Sequence, residues 1–164
     1  MFNIGDKIVY PVQGVGIIDV IEEKEFGGLV QKYYKIHLIN NTMKLMLPST
    51  RVESSNIRLI SDSKALEDIL LDTNCYLTSS EDLNTANSKE RIEMNTNKIR
   101  SGSLKDLVEV IFNLSQVKKQ HSLNTSESQI LKNATKFLVD EVSLIKNIPT
   151  TEANIFIHES FNLA

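Results

Sequence analysis

The first sixty residues alternate between apolar and polar side chains with a period of two, which is typical of β-strands with one buried face. Strands are predicted over residues 6–11, 17–23, 30–39 and 43–47. Two glycines at 27–28 and two asparagines at 40–41 mark turns, because both residue types tolerate a left-handed backbone. Four or five strands in so short a segment predict a small, strongly bent sheet of the SH3 or Tudor kind.

The fourth predicted strand contains an exposed candidate for partner binding. Strict alternation places Met43, Leu45 and Leu47 inward and leaves Lys44 and Met46 pointing outward. An outward methionine adapts well to varied apolar partner surfaces. The pattern alone equally allows Met46 to pack against a tyrosine, at position 10 or 33, on the other face of the sheet.

From Ser63 onward the apolar spacing changes to 3.6, the period of an amphipathic helix. Helices are predicted from Ser63, over residues 89–100, from 104 to about 120, from Asn124 or Thr125 to before Pro149, and from 150–151 onward. Residues 72–87 are predicted as a loop with one helical turn at 80–83. The change of period predicts an α+β protein, with a bent β domain over residues 1–60 and an all-helical bundle over residues 64–164.

Composition favours a soluble protein of the cytoplasm. The 164 residues are 41% apolar and 24% charged, with a net charge of −3. No apolar run approaches the length of a membrane span, and no secretory signal is recognisable at the N-terminus. The lone Cys75 excludes an internal disulfide framework and is interpreted as a buried helix residue.

Catalytic or metal chemistry is not indicated. The three histidines, at positions 37, 121 and 158, are scattered and lack a partner at metal-ligand spacing. Gly14 and Gly16 lack the third glycine and the following helix of a dinucleotide-binding fingerprint, so they are interpreted as turn and bulge residues. We therefore predict no enzymatic activity, no metal site and no cofactor.

The order of short motifs along the chain resembles the CarD family, whose N-terminal module is shared with transcription-repair coupling factor. The motifs of that module are Gly5-Asp6, Val9-Tyr10-Pro11, Gly14-Val15-Gly16, Lys32-Tyr33-Tyr34, Met43-Lys44-Leu45-Met46 and Ile57-Arg58. Those of the helical part are Arg91, Asn95, Lys98, Ser101-Gly102, Leu123, Glu127, Leu131 and Ala134. The resemblance implies a module that binds the β subunit of bacterial RNA polymerase, followed by a helical domain that touches upstream promoter DNA.

The resemblance also implies which residues meet each partner. The expected polymerase contacts are Lys24, Lys44, Met46, Leu47 and Pro48, and the resemblance favours the interface role of Met46 over internal packing. The expected DNA contacts are Lys89, Arg91, Lys98 and Arg100. Basic residues exceed acidic ones by seven to four between positions 89 and 119, an excess of +3. This excess fits either a phosphate-contacting face or an ordinary solvated helix surface.

The promoter-facing part departs from the family pattern. Family members commonly carry a tryptophan wedge where this chain has Ser88, and basic residues near it where this chain has Glu90 and Glu93. A serine cannot unstack a base step, and carboxylates repel phosphate. DNA contact is therefore predicted to be weak.

Three functions remain open from the sequence. The first is a transcription regulator that binds polymerase and reaches promoter DNA. The second is an adaptor that binds polymerase without productive DNA engagement. The third is a small enzyme or ligand-binding protein with a Tudor-like pocket, which no specific feature supports.

Overall fold

A computed structural model describes residues 1–72 and 87–161. The chain divides into two compact units, Met1–Ile60 and Ser61–Ala164. The loop predicted over residues 72–87, its helical turn at 80–83 and Cys75 lie outside the described residues, apart from the ends of that loop. Within the described ranges, no helix combines the length and apolar character needed to cross a membrane.

The first unit is an antiparallel five-stranded sheet. Its strands are β1 (Lys7–Tyr10), β2 (Gly14–Phe26), β3 (Leu29–Leu38), β4 (Lys44–Pro48) and β5 (Arg58–Leu59), with a short 3₁₀ helix at Ser49–Arg51. The spatial order is β4-β3-β2-β1-β5, so β4 and β5 are the edges. The bent sheet and its predicted turns are confirmed, and β2 is longer than predicted because it continues to the glycine turn at 27–28.

Alternation along β3 builds the core of the sheet. Tyr34, Ile36 and Leu38 are buried, and Ile8 and Ile18 on neighbouring strands pack in the same cluster. The register of β2 against β3 shifts at a bulge after Ile18, which locally increases the twist of a sheet.

Gly16 permits the close approach of β2 and β3. A Cβ atom at this position would lie 2.7 Å from Ile36 Cγ2 and 2.9 Å from the carbonyl oxygen of His37. Gly14 instead has a positive φ of 121°, where glycine avoids steric cost. Gly14 therefore follows the turn after β1, as predicted, whereas Gly16 lies in regular register and the bulge comes after Ile18, so the bulge prediction is wrong for Gly16.

Met43 is the exception to the predicted alternation of the fourth strand. It is 49% exposed and precedes the strand, which begins at Lys44. The inward prediction for Met43 is wrong because this residue directly follows the turn at residues 39–42, before the regular alternation of β4 begins. Leu45 and Leu47 do face the core.

The second unit contains five α-helices among the described residues. They are α1 (Ser63–Leu71), α2 (Ser88–Ser101), α3 (Leu104–Gln120), α4 (Thr125–Lys146) and α5 (Thr150–Phe161). Ser103 caps α3 by accepting a hydrogen bond from the backbone N–H of Asp106. Asn124 caps α4 through a reciprocal capping box with Glu127.

The helical core forms around α3 and α4. Val108, Ile111, Leu114, Leu138 and Val142 are fully buried, and all five belong to the apolar stripes at helical spacing in the sequence. The same spacing predicts Ile155, Phe156 and Phe161 as the inward positions of the last helix, and this prediction is partly wrong. Ile155 is 58% exposed, whereas Ala153 and Ile157 are buried, so α5 turns a different set of positions inward.

Candidate functional site

The outer face of strands β2, β3 and β4 brings several predicted polymerase contacts together. Met46 on β4 is paired with Lys35 on β3, and Lys35 is paired with Val20 on β2. Lys44 pairs with His37 in the next outward row. Met46 is 45% exposed and Val20 is 40% exposed. These side chains share one face because the side-chain direction of a strand repeats every second residue.

Lys24 meets Met46 across this face. Its Nζ lies 3.6 Å from the Met46 sulfur and 3.8 Å from a carboxylate oxygen of Glu22. The Lys35 ammonium donates a 2.6 Å hydrogen bond to Glu22, and this bond is the main cause of the lowered pKa of the Glu22 carboxyl. An exposed apolar side chain is therefore surrounded by paired charges.

Leu47 and Pro48 have different surroundings from Met46. The Leu47 side chain is only 5% exposed and belongs to the sheet core, and its backbone pairs with Tyr34 of β3. Pro48 ends β4 opposite Tyr33 and has no N–H to donate. Because β4 pairs only with β3 among the described strands, its outer edge carries unpaired backbone groups.

Two aromatic side chains extend the outer face toward the β2–β3 turn. The rings of Phe26 and Tyr33 contact edge to face, with centroids 6.3 Å apart. Phe26 is 63% exposed and Leu29, its cross-strand neighbour, is 76% exposed. Exposed apolar side chains on one face are typical of an interaction surface.

His37 lies at the other end of the same face. Its Nδ1 is 2.6 Å from a carboxylate oxygen of Asp19, the residue at the bulge of β2. No group of three or more potential metal-ligating side chains occurs among residues 1–72 and 87–161.

The helical unit places Arg91 in its interior. The Arg91 Nε donates a 2.6 Å hydrogen bond to Glu127 Oε1, and the two side chains are 7% and 2% exposed. Glu127 also accepts a hydrogen bond from the backbone N–H of Asn124 in the capping box. Arg91 therefore joins α2 to the start of α4, and its guanidinium is not directed to a surface where phosphate could bind.

The other three predicted DNA contacts also differ in their surroundings. Lys98 donates a 2.8 Å hydrogen bond to Glu109 of α3 and is mostly buried. Lys89 and Arg100 are exposed near opposite ends of α2. Ser88 and Glu90 are also exposed, in the first turn of this helix.

One concave basic surface in the helical unit was not predicted from the sequence. Lys118 and Lys119 at the end of α3 line a groove together with Lys132 and Lys136 of α4. Two of these lysines belong to the basic excess noted between residues 89 and 119. The spacing of Lys132 and Lys136, one helical turn apart, was a signal that their side chains share a face.

Comparison with known proteins agrees with the motifs in both units. The family model described as "CarD-like/TRCF RID domain" matches residues 2–61, and that described as "CarD, C-terminal domain" matches residues 75–158. The chain belongs to the CarD family. The resemblance drawn from the sequence motifs is therefore confirmed.

A curated relative and a solved structure also match this CarD-family chain. "Putative transcription factor YdeB" of Bacillus subtilis (strain 168) is 40% identical over 156 residues, or 95% of this chain and 99% of the relative. The solution NMR structure of the 72-residue N-terminal domain of Myxococcus xanthus CarD is 27% identical. That match covers 36% of this chain and 79% of the other, with a TM-score of 0.32.

Several residues of the helical CarD-family motifs have internal positions in this chain. Arg91 and Glu127 form the buried ion pair, and Asn95 is fully buried on the same helix as Arg91. Gly102 ends α2 in a left-handed conformation with φ of 77°. These motif residues therefore support the fold of the helical unit.

Proposed function

We propose that this CarD-family protein is a bacterial transcription regulator that binds the β subunit of RNA polymerase and modulates initiation at promoters. The observation that carries the proposal is the exposed Met46 on the edge strand β4, with Lys24 beside it. The match of residues 2–61 to the CarD-like/TRCF RID domain supports polymerase as the partner. The role is regulatory, without catalysis, and belongs to the bacterial cytoplasm.

The proposed mode of binding is strand addition along β4. An edge strand offers backbone N–H and C=O groups to a partner strand, and outward side chains then supply specificity. The backbone groups of Leu45 and Leu47 are directed to β3, so Lys44 and Met46 offer the free groups at the outer edge. Pro48 has no N–H and limits the pairing at the end of the strand.

Side chains on the outer face complete the proposed contact. Met46 supplies an adaptable apolar surface, while Lys24 and Lys44 supply positive charge at its borders. Phe26 and Tyr33 continue the surface toward the β2–β3 turn. Mixed apolar and charged character of this kind suits a reversible protein interface.

Replacing Met46 by glutamate tests this surface. The substitution removes the apolar contact and places a carboxylate in the interface, where it loses hydration even when Lys24 lies beside it, and we expect binding to the β subunit to weaken by about 1–3 kcal/mol. Titration calorimetry with the purified β subunit measures the effect. Met94→Glu is the matched control because Met94 is 43% exposed but lies on α2. Unchanged affinity of Met46→Glu would refute this assignment of the surface.

For the helical unit we propose weak, sequence-independent contact with upstream promoter DNA through Lys89 and Arg100. Arg91 is left out because it is buried against Glu127, and Lys98 contributes little because it is paired with Glu109. Two exposed cations give few phosphate contacts, so we expect a Kd of about 10⁻⁴ M at physiological salt.

The surroundings of Ser88 favour a second candidate, an adaptor that binds polymerase without productive DNA engagement. Ser88, Glu90 and Glu93 are all exposed on α2 and provide neither a wedge nor positive charge. Fluorescence anisotropy of the full chain on forked promoter DNA at several salt concentrations separates the two functions. Weak binding that falls steeply with salt supports DNA contact, and the absence of binding supports the adaptor. Nanomolar binding would contradict both assignments of this surface.

A further inference from the structure

A lysine-lined groove of about 980 Å³ lies among helices α3, α4 and α5. Lys118 and Lys119 come from the last turn of α3, and Lys132 and Lys136 come from α4. Asn154 of α5 lines the groove as well. The volume falls within the range of about 300–1,000 Å³ that is typical of small-molecule sites.

The charge of this groove is uncompensated. No Asp or Glu lines it, although the chain as a whole carries a net charge of −3. Within the described part of the chain, none of the four lysines forms an ion pair. Lys132 and Lys136 are also like charges one turn apart on one helix, an arrangement that mildly destabilises it. A bound polyanion would relieve this repulsion.

The lining of the groove also includes apolar and amide groups. Leu123, Leu131 and Val139 supply apolar surface between the lysines. Gln129 Nε2 donates a 2.9 Å hydrogen bond to Asn133 Oδ1. This bond leaves the Gln129 oxygen as an acceptor and the Asn133 amide N–H groups as donors, side by side. Adjacent donors and acceptors next to apolar surface can hold the edge and face of a nucleobase.

We propose that this groove binds a nucleoside polyphosphate. The four lysines match a chain of phosphates, since lysine binds phosphate as a point charge. The apolar surface and the amides match the base. A DNA duplex offers phosphates on a broad convex surface with its bases stacked inside, and an acidic peptide offers no flat base. The inference goes beyond polymerase binding and does not depend on it.

Fluorescence titration of the full chain with ATP and GTP, each carrying a methylanthraniloyl group on the ribose, tests the proposal. We expect saturable binding of at least one nucleotide with a Kd below about 100 µM. The double variant Lys132→Gln/Lys136→Gln should weaken it by about tenfold, because two exposed charge pairs are lost. Lys64→Gln/Lys105→Gln is the matched control. It removes two exposed lysines of the same unit that do not line the groove, and it should change the Kd by less than about twofold.

Competition identifies the ligand class. Unlabelled nucleotide should displace the probe at lower concentration than inorganic tripolyphosphate, because only the nucleotide has a base. No saturation by either nucleotide up to about 1 mM, or equal losses in the two double variants, would overturn the site. Equal competition by tripolyphosphate would overturn the nucleoside assignment. Stronger competition by a short DNA duplex or an acidic peptide would assign the groove to that macromolecule instead. Circular dichroism of both variants verifies that they are folded.

Discussion

The buried Arg91–Glu127 pair predicts that Arg91→Met strongly destabilises the helical unit. Removing the guanidinium leaves the Glu127 carboxylate, whose side chain is only 2% exposed, without its 2.6 Å partner. Breaking a buried ion pair by removing one member typically costs about 3–5 kcal/mol. Glu127 is also part of the capping box of α4. If its carboxylate moves out of the box to reach water, the lost helix cap costs about 0.5–2 kcal/mol.

Two further variants separate the pair from general effects of mutation on α2. Lys89→Met removes an exposed cation from the first turn of the same helix, and we expect a change within about 0.5 kcal/mol. Arg91→Met combined with Glu127→Gln removes both charges. The double variant should therefore lose less stability than the sum of the two single substitutions, because no buried charge remains unpaired.

Thermal unfolding followed by far-ultraviolet circular dichroism measures these changes, because the helices dominate the signal. For a unit of this size the expected loss in Arg91→Met lowers the Tm by more than about 10 °C. Promoter DNA binding by anisotropy is measured on the same proteins below their unfolding transitions. An unchanged Tm with weakened DNA binding would refute the reasoning, since it would make Arg91 a surface phosphate contact.

Three smaller predictions concern single residues. Gly16→Ala should destabilise the sheet unit, because the added Cβ would lie 2.7 Å from Ile36 Cγ2, and chemical denaturation of the full chain would detect the loss. Asn113→Leu should raise the Tm, since both polar atoms of this buried amide lack a hydrogen-bond partner among the described residues; a lower Tm would show that the amide is satisfied in solution. The hydrogen bond from Lys35 lowers the pKa of Glu22 below 4.5, so its stabilising effect should be present above that pH and lost as the pH falls through the lowered value. The Tm difference between the native protein and Glu22→Gln should then shrink on acidification, and a difference that does not change with pH would contradict the assignment.

Local patterns were sufficient to predict the elements and one face of the candidate site. Alternation in the fourth strand correctly predicted that Met46 points away from Leu47, because side-chain direction along a strand depends only on position. Helix caps such as Ser103 were equally predictable, since a cap bonds to a backbone N–H three residues away. The assignment of these residues to a polymerase surface required the family resemblance and stays a proposal.

Long-range contacts could not be read from local patterns. Arg91 was predicted as a DNA contact, which requires an exposed side chain, and no local pattern indicated that it and Asn95 are buried. Arg91 is buried because it pairs with Glu127. This partner lies 36 residues further along the chain, so no local pattern indicates the pair. The lysine groove was missed for the same reason, since its lining comes from three helices.

Hydrogen exchange of the full chain, alone and with RNA polymerase core enzyme, is the most direct test of the proposed function. If β4 pairs with a strand of the polymerase, the backbone amides of Lys44 and Met46 gain protection, because these two amides face the outer edge of the sheet and acquire partners only in the complex. This gain should be lost in Met46→Glu and kept in Met94→Glu. Unchanged exchange of the Lys44 and Met46 amides while the chain is bound to polymerase would show that β4 is not the strand that pairs with it.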